Sequence, residues 1–391
     1  MLISLLWISN AHADTFVTNI SEEIDLRLGG TWSIPFHDGY RWWIGMGQAS
    51  DLWVAPLYDS NWYVEMPLTQ NLSNQGVLFD HSFRRCPDGT YLHVSTGESQ
   101  DPHYVFRYDE NFQLIGSSRY EQGQPPHANN DIPAVCGIEF QGFGIAEQQG
   151  LRDFFIDVDE NAVPMEPVEL ENSPRMTGSG MTEIDGELIV VGMDPGPDLS
   201  ISIYNTDLLL VEQASIPPFG DSILHYWPSR IKRIGNHYLI ATMGRNPADG
   251  FPLDTGDVYV VVVNDTFEVQ EWHQVSFNDP QESGGMRPWF DVYEDQVILG
   301  YDKANSLYLY SLTIDLDAFE NGSEAEPSSE PSGEPNAEPS SEASVEPGPE
   351  PSDENEKSGC ASGFGLLPFL GLGVWRRRKL HLHTQMQQDN R

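Results

Sequence analysis

The sequence predicts an all-β fold: a six-bladed β-propeller whose blades each hold four antiparallel strands. Three observations carry that prediction. The first is a polar turn between apolar runs that recurs about every fifty residues. Its copies are Tyr58-Asp59-Ser60-Asn61-Trp62, Tyr108-Asp109-Glu110-Asn111-Phe112 and Val158-Asp159-Glu160-Asn161-Ala162. Tyr204-Asn205-Thr206-Asp207-Leu208 and Val263-Asn264-Asp265-Thr266-Phe267 continue the series at looser spacing. Asp and Asn tolerate left-handed backbone angles and bond their own main chain, so each copy reads as a tight hairpin. The second is another turn, about twenty residues ahead of most of these, that opens an apolar run. It stands at Asp38-Gly39, Asp88-Gly89, Gln141-Gly142, Asp185-Gly186, Gly235-Asn236 and Glu294-Asp295. The third is the mismatch in number. Two hairpins per repeat make one four-stranded blade, yet the inner turn occurs six times and the outer turn five. Blade six therefore lacks an outer strand, and Thr15–Ile20 is placed to supply it and close the ring.

The chain in order divides into four parts. Met1–Ala13 reads as a signal peptide: an apolar run, Leu2–Ile8, then Ala11-His12-Ala13, the small-x-small pattern of a cleavage site. No basic residue precedes the run, which leaves the true translation start open. Residues 14–319 form the propeller, aromatic and β-branched runs broken by Gly, Pro, Asn and Asp, with no convincing helix. In blade five, the loop Gly244–Gly256 after the second strand is long enough to suggest function. Residues 320–357 change character: Glu recurs at 326, 330, 334, 338, 342, 346 and 350, usually followed by Pro. Such a segment has almost nothing to bury and is expected to be a disordered, extended stalk.

Residues 358–391 begin Ser358-Gly359-Cys360, continue in an apolar run Ala361–Trp375, and turn basic at Arg376-Arg377-Arg378-Lys379. As a helix the run reaches about 22 Å, short of a hydrocarbon core of about 30 Å. The basic cluster places the last residues on the cytoplasmic side. Cysteine, glycine-rich apolar run and arginine cluster, in that order after a low-complexity stalk, resemble the MYXO-CTERM type of C-terminal sorting signal found on exported proteins of myxobacteria and their relatives. The resemblance covers residues 358–379. It implies processing near Cys360 and attachment at the cell surface or outer membrane, with the membrane touched only through this tail.

The formal net charge is −40, and residues 14–319 carry most of it, with 47 acids against 14 bases. Such a domain repels nucleic acid and anionic membrane surfaces. Cys86 and Cys136 lie fifty residues apart near the ends of neighbouring inner strands. In an exported protein they suggest a disulfide, or, if the strands stand too far apart for sulfur to bridge, two buried thiols. Asp157-Val158-Asp159-Glu160-Asn161 starts like a calcium loop, but Ala162 and Val163 follow where a glycine and further ligands are needed, so it reads as a plain hairpin. No metal or cofactor is expected.

No nucleophile elbow, zinc-protease motif, phosphate loop or dinucleotide fingerprint occurs. The Ser-x-Asp-x-Gly-x-x-Trp boxes of sialidases, which are also propellers, are absent too. What remains is position. Loops leading into the inner strands ring one mouth of a propeller's channel, and these carry His81, Arg84, Asp131, Trp227, Arg230, Arg287 and Trp289. Half of the domain's bases, Arg84, Arg85, Arg230, Arg233, Arg245, Arg287 and Lys303, fall on these segments, the inner strands or adjoining loops. Guanidinium groups chelate carboxylates and Trp rings stack on sugar faces. The expected function is thus a monomeric, surface-anchored binding module for an anionic small molecule or glycan unit. The alternative is a hydrolase or lyase on an acidic glycan, with His81 or Asp131 as general base.

Overall fold

Each repeat folds into its own sheet because strands adjacent in sequence pair with one another. The computed structural model describes residues 15–321 apart from 30, 49–50, 59–62, 65–69, 72–77, 98–102, 121–132, 147–151, 175–178, 194–197, 218–223, 246–255, 279–285 and 305. Among these residues the strands form six antiparallel sheets. Blade one holds Thr31–His37, Trp42–Gln48 and Asp51–Tyr58, with the short strands Tyr63–Val64 and Gln70–Asn71 both paired to Asp51–Tyr58. Blade two runs Leu78–Arg85, Tyr91–Gly97, His103–Tyr108, Leu114–Tyr120, and blade three Ala134–Cys136, Gln141–Ala146, Asp153–Asp157, Val168–Leu170. Blade four is Gly180–Ile184, Glu187–Met193, Leu199–Tyr204, Leu210–Ile216, and blade five Leu224–Ile234, His237–Arg245, Asp257–Val263, Val269–Gln274. The first strands of successive blades pack on one another around the whole ring, blade six on blade one included. They line a central channel, and the fold is the six-bladed propeller that the turns predict.

Blade six contributes Met286–Tyr293, Gln296–Lys303 and Ser306–Ile314. Its outer edge is completed from the far end of the chain, as expected. Val17–Ile20 pairs antiparallel with Ser306–Ile314, Val17 facing Ile314 and Ile20 facing Leu312. Ile24–Gly29 extends that edge, Ile24 facing Leu309 and Gly29 facing Ser306. A carboxylate oxygen of Glu271, on blade five, accepts the amides of Phe16 and Val17 at 2.9 and 3.0 Å. The closing strand is thereby tied to two blades.

The core lies between the blades. In Asp257–Val263, Val258, Val260 and Val262 pack toward blade six, while Tyr259, Val261 and Val263 pack toward blade four. A strand buried on both faces needs apolar residues at every position, which is why this one reads as a continuous valine run.

The outer turns differ from expectation in one detail. Asp109 does not itself take the left-handed angle. Its side-chain oxygen accepts the amides of Asn111 and Gln113 at 2.9 and 2.7 Å, and the left-handed residue is Phe112, at φ 59°. Asp159, Asn205 and Asn264 bond their loops in the same way, and Ala162, Leu208 and Phe267 take the positive φ. The strain is tolerated because burial offsets it, with Phe112, Ala162 and Phe267 all buried. The copy at Asp59 lies outside the described residues.

Two further expectations are corrected. In blade three the inner turn is Gly137–Phe140, closed by the Gly137 amide on the Phe140 carbonyl at 2.7 Å, because Gln141 and Gly142 already belong to the second strand. A helix does occur, Leu316–Asn321. It sets Phe319 against Phe16 and His237, and the Phe319 carbonyl accepts the Asn236 amide at 3.0 Å. The first thirteen residues, the stalk beyond Asn321 and the tail with Cys360 lie outside the described residues, and Glu320 and Asn321, expected at the start of the stalk, end the helix. Within the described residues no helix is long and apolar enough to cross a membrane.

Candidate anion site in the central channel

Residues two apart on a strand share a face, so each inner strand aims a short series of side chains at the channel axis. Blade two aims Arg84, blade five Arg230 and blade six Trp289. The three meet: the Arg84 guanidinium lies 4.9 Å from the centroid of the buried Trp289 ring, and the Arg230 guanidinium lies over the same ring. Arg84 also reaches across to blades three and four, donating Nε to the Ala134 carbonyl at 2.8 Å and Nη2 to the Met181 carbonyl at 3.3 Å. A plug of two cations around one indole thus spans the channel.

Toward the inner turns, the plug floors a cavity of about 190 Å³. At about 30 Å³ per water it holds about six waters, room for a small ligand only. Arg84, Arg85, Arg230 and Lys232 line it, with Glu183 and Asp291 as the acids. The acids are already engaged. Asp291 accepts Lys232 Nζ at 2.6 Å and the His37 amide at 2.8 Å. Glu183 accepts the amides of Ile138, Glu139 and Phe140 at 2.7–3.1 Å. Arg84 bonds carbonyls rather than a carboxylate, so its charge is not cancelled by contact. Desolvation pushes its pKa down to about 9, against the favourable field of Asp291, and it stays cationic at neutral pH. The result is a positive pocket inside a strongly acidic domain.

The sequence-predicted residues divide accordingly. Arg84, Arg230 and Trp289 come together, but two arginines already occupy the Trp289 ring, so it is not an open platform for a sugar. Arg287 stays inside blade six, 3.4 Å from Asp302 on the neighbouring strand. Arg233 pairs with Asp185, and Lys303 sits 3.7 Å from Glu23 at the ring closure. His81 turns away from the channel into the interface of blades one and two. There it is buried, with Nδ1 3.0 Å from His93 Nε2. Burial pushes the pKa of His81 down to about 3 and that of His93 far below its usual value. A ring so placed cannot reach a substrate in the channel as general base. Asp131 and the Trp227 side chain lie outside the described residues.

Cys86 and Cys136 are joined as a disulfide with Cα atoms 4.9 Å apart. The inner strands of blades two and three converge at their trailing ends, so sulfur does bridge the gap, and Cys136 forms part of the cavity wall. Sequence reasoning missed Arg85, Lys232, Glu183 and Asp291 as site residues, and it placed the site at the leading ends of the inner strands. Counting on by two from Arg230 and Trp289 would have found Lys232 and Asp291.

Fold and cavity together define a β-propeller with a basic channel, a scaffold consistent with an interaction module. Neither a protein-family model nor a curated protein matches the chain. It is similar in structure to a protein of unknown function from Dyadobacter fermentans, with a TM-score of 0.52 at 11% identity over 76% of this chain and 100% of that one. A DUF4623 family protein from Bacteroides eggerthii aligns with a TM-score of 0.42 at 9% identity over 77% of each chain. A member of the DUF4221 family from Bacteroides vulgatus aligns at 0.43 and 10% identity, over 76% of this chain and 97% of its own. At these identities the likeness concerns fold alone.

Proposed function

We propose that the chain is an exported, surface-anchored binding module whose channel takes one small carboxylate-bearing unit, a uronic or sialic acid. The observation that carries this reading is the basic cavity floored by Arg84 and Arg230, in a domain with 47 acids and 14 bases. A guanidinium that gives its hydrogens to carbonyls, as Arg84 does, keeps charge available for an anion. The surrounding acidity rejects polyanions, which would meet the negative rim first, and admits a single charged end. In this reading the Met1–Ala13 leader supplies export, and the stalk with the Cys360 signal supplies attachment. Binding is favoured over hydrolysis because His81, one of the two candidate bases, is buried away from the cavity.

Calorimetric titration of the full chain with glucuronate, N-acetylneuraminate and glucose tests this reading. A charged sugar should bind and glucose should not. Arg85→Ala removes an exposed cavity wall and should weaken binding by about 1.5–3 kcal/mol, the worth of a charge-assisted hydrogen bond, with little change in melting temperature. Equal heats for glucuronate and glucose would overturn the proposal.

A further inference from the structure

One face of the blade-six inner strand leads out of the cavity. Trp289, Asp291 and Tyr293 alternate on Met286–Tyr293 and so share a face, each about 7 Å beyond the last. Trp289 lies in the plug and Asp291 in the cavity wall, and Tyr293 follows two residues further on, at the end of the strand. Tyr293 is 38% exposed although the His37 ring stacks on it, with centroids 3.6 Å apart and planes 21° off parallel. One face of the phenol is therefore braced and the ring still meets solvent. The brace is itself fixed, because the His37 amide donates to Asp291. The adjoining turn is rigid as well. Asp38 accepts the amides of Tyr40 and Arg41 at 2.7 and 2.8 Å and the Trp43 indole N–H at 2.6 Å. At its tip Tyr40 is 93% exposed. A braced, partly exposed phenol two residues beyond the cavity wall is a surface for a flat apolar face, and the His37 that braces it leads into the rigid turn carrying Tyr40.

The geometry points to a second subsite: Tyr293, stacked on His37, holds the next ring of an acidic oligosaccharide whose charged terminal unit occupies the channel cavity. This inference rests on the channel reading and adds to it that the ligand is the end of a chain rather than a free monosaccharide. Sugar rings expose an apolar face of C–H groups that packs on aromatic rings, and a preformed aromatic loses little freedom in the process. The pocket itself, at about 190 Å³, has space for one ring, so a further ring lies outside it.

The test compares two probes on the full chain: glucuronic acid, and cellobiouronic acid, in which the same glucuronic acid is linked to glucose. The disaccharide should bind about tenfold tighter than the monosaccharide. Tyr293→Ala should erase that margin while leaving the monosaccharide affinity unchanged, and Tyr293→Phe, which keeps the ring, should preserve it. Melting curves check that each variant is folded. Equal affinities in the parent chain, or a margin that survives Tyr293→Ala, overturn the subsite while the channel reading stands. Binding of neither probe overturns the channel reading itself. An acidic tripeptide that binds more tightly than the disaccharide overturns the assignment to sugar.

Discussion

Phe16→Ala probes how the ring is held shut. Phe16 is 5% exposed and sits where the two ends of the fold meet. Its ring centroid lies 4.7 Å from that of His237 in blade five and 5.1 Å from that of Phe319 in the C-terminal helix. Its amide is held by Glu271. Truncation leaves a cavity between blade five and the C-terminal helix, neither of which can collapse without moving the other. Phe→Ala at such sites costs about 3–5 kcal/mol, a large part of the about 5–15 kcal/mol typical of a folded protein. Equilibrium urea unfolding reads the loss as a fall in midpoint at constant slope. Deleting residues 14–23 goes further. It also removes Glu23, whose carboxylate accepts both the Tyr301 and Tyr310 hydroxyls, and each orphaned phenol adds about 1–3 kcal/mol. That deletion should aggregate or lose cooperative unfolding. A Phe16→Ala protein within about 0.5 kcal/mol of the parent, the range of an ordinary surface change, would refute closure by the N-terminal strand.

Three further outcomes follow from particular groups. Replacing both Cys86 and Cys136 with serine opens a loop of fifty residues and should cost about 4 kcal/mol on the chain-entropy account, read by thermal unfolding with and without reductant; an unchanged melting temperature contradicts it. His81 has a folded pKa of about 3 against about 6.5 unfolded. Between those values the unfolded chain binds the extra proton, so stability falls as pH drops, by about 1.4 kcal/mol per unit for this ring; His81→Leu should flatten that slope, and an identical slope would refute the buried neutral pair. The mature protein should end near Cys360, and an intact mass that still includes Arg391 would overturn processing of the tail.

Much of the fold was legible because its determinants are local. The Asx-type turns at Asp109, Asp159, Asn205 and Asn264 recur with the blades, and the surplus inner turn revealed the missing strand. The blade-three turn was misread because Gly137-Ile138-Glu139-Phe140 has no strong turn pair, while Gln141-Gly142 looks like one. Its shape depends on Glu183 of the next blade capturing three of its amides, a contact between distant residues. The site was half legible for the same reason. A clustering of arginines is visible in sequence. Which of them reach the axis depends on how each strand is rotated about its own length. Arg84 and Arg230 arrive there, whereas Arg287 takes a positive φ of 52° in a bulged stretch of its strand and stays with Asp302. His81 carries no local sign of burial, since its neighbour His93 lies on the adjacent strand.

The most direct measurement is a titration of the ¹⁵N-labelled full chain with glucuronate, following backbone amides and arginine Nε–H groups. The channel account predicts that shifts cluster on Arg84, Arg85 and Arg230 side chains and on the amides of 134–137, 181–183 and 291, the segments that line the cavity. Shifts confined to the leading ends, around Leu224–Tyr226 and Met286–Arg287, or no shifts at saturating sugar, would contradict it.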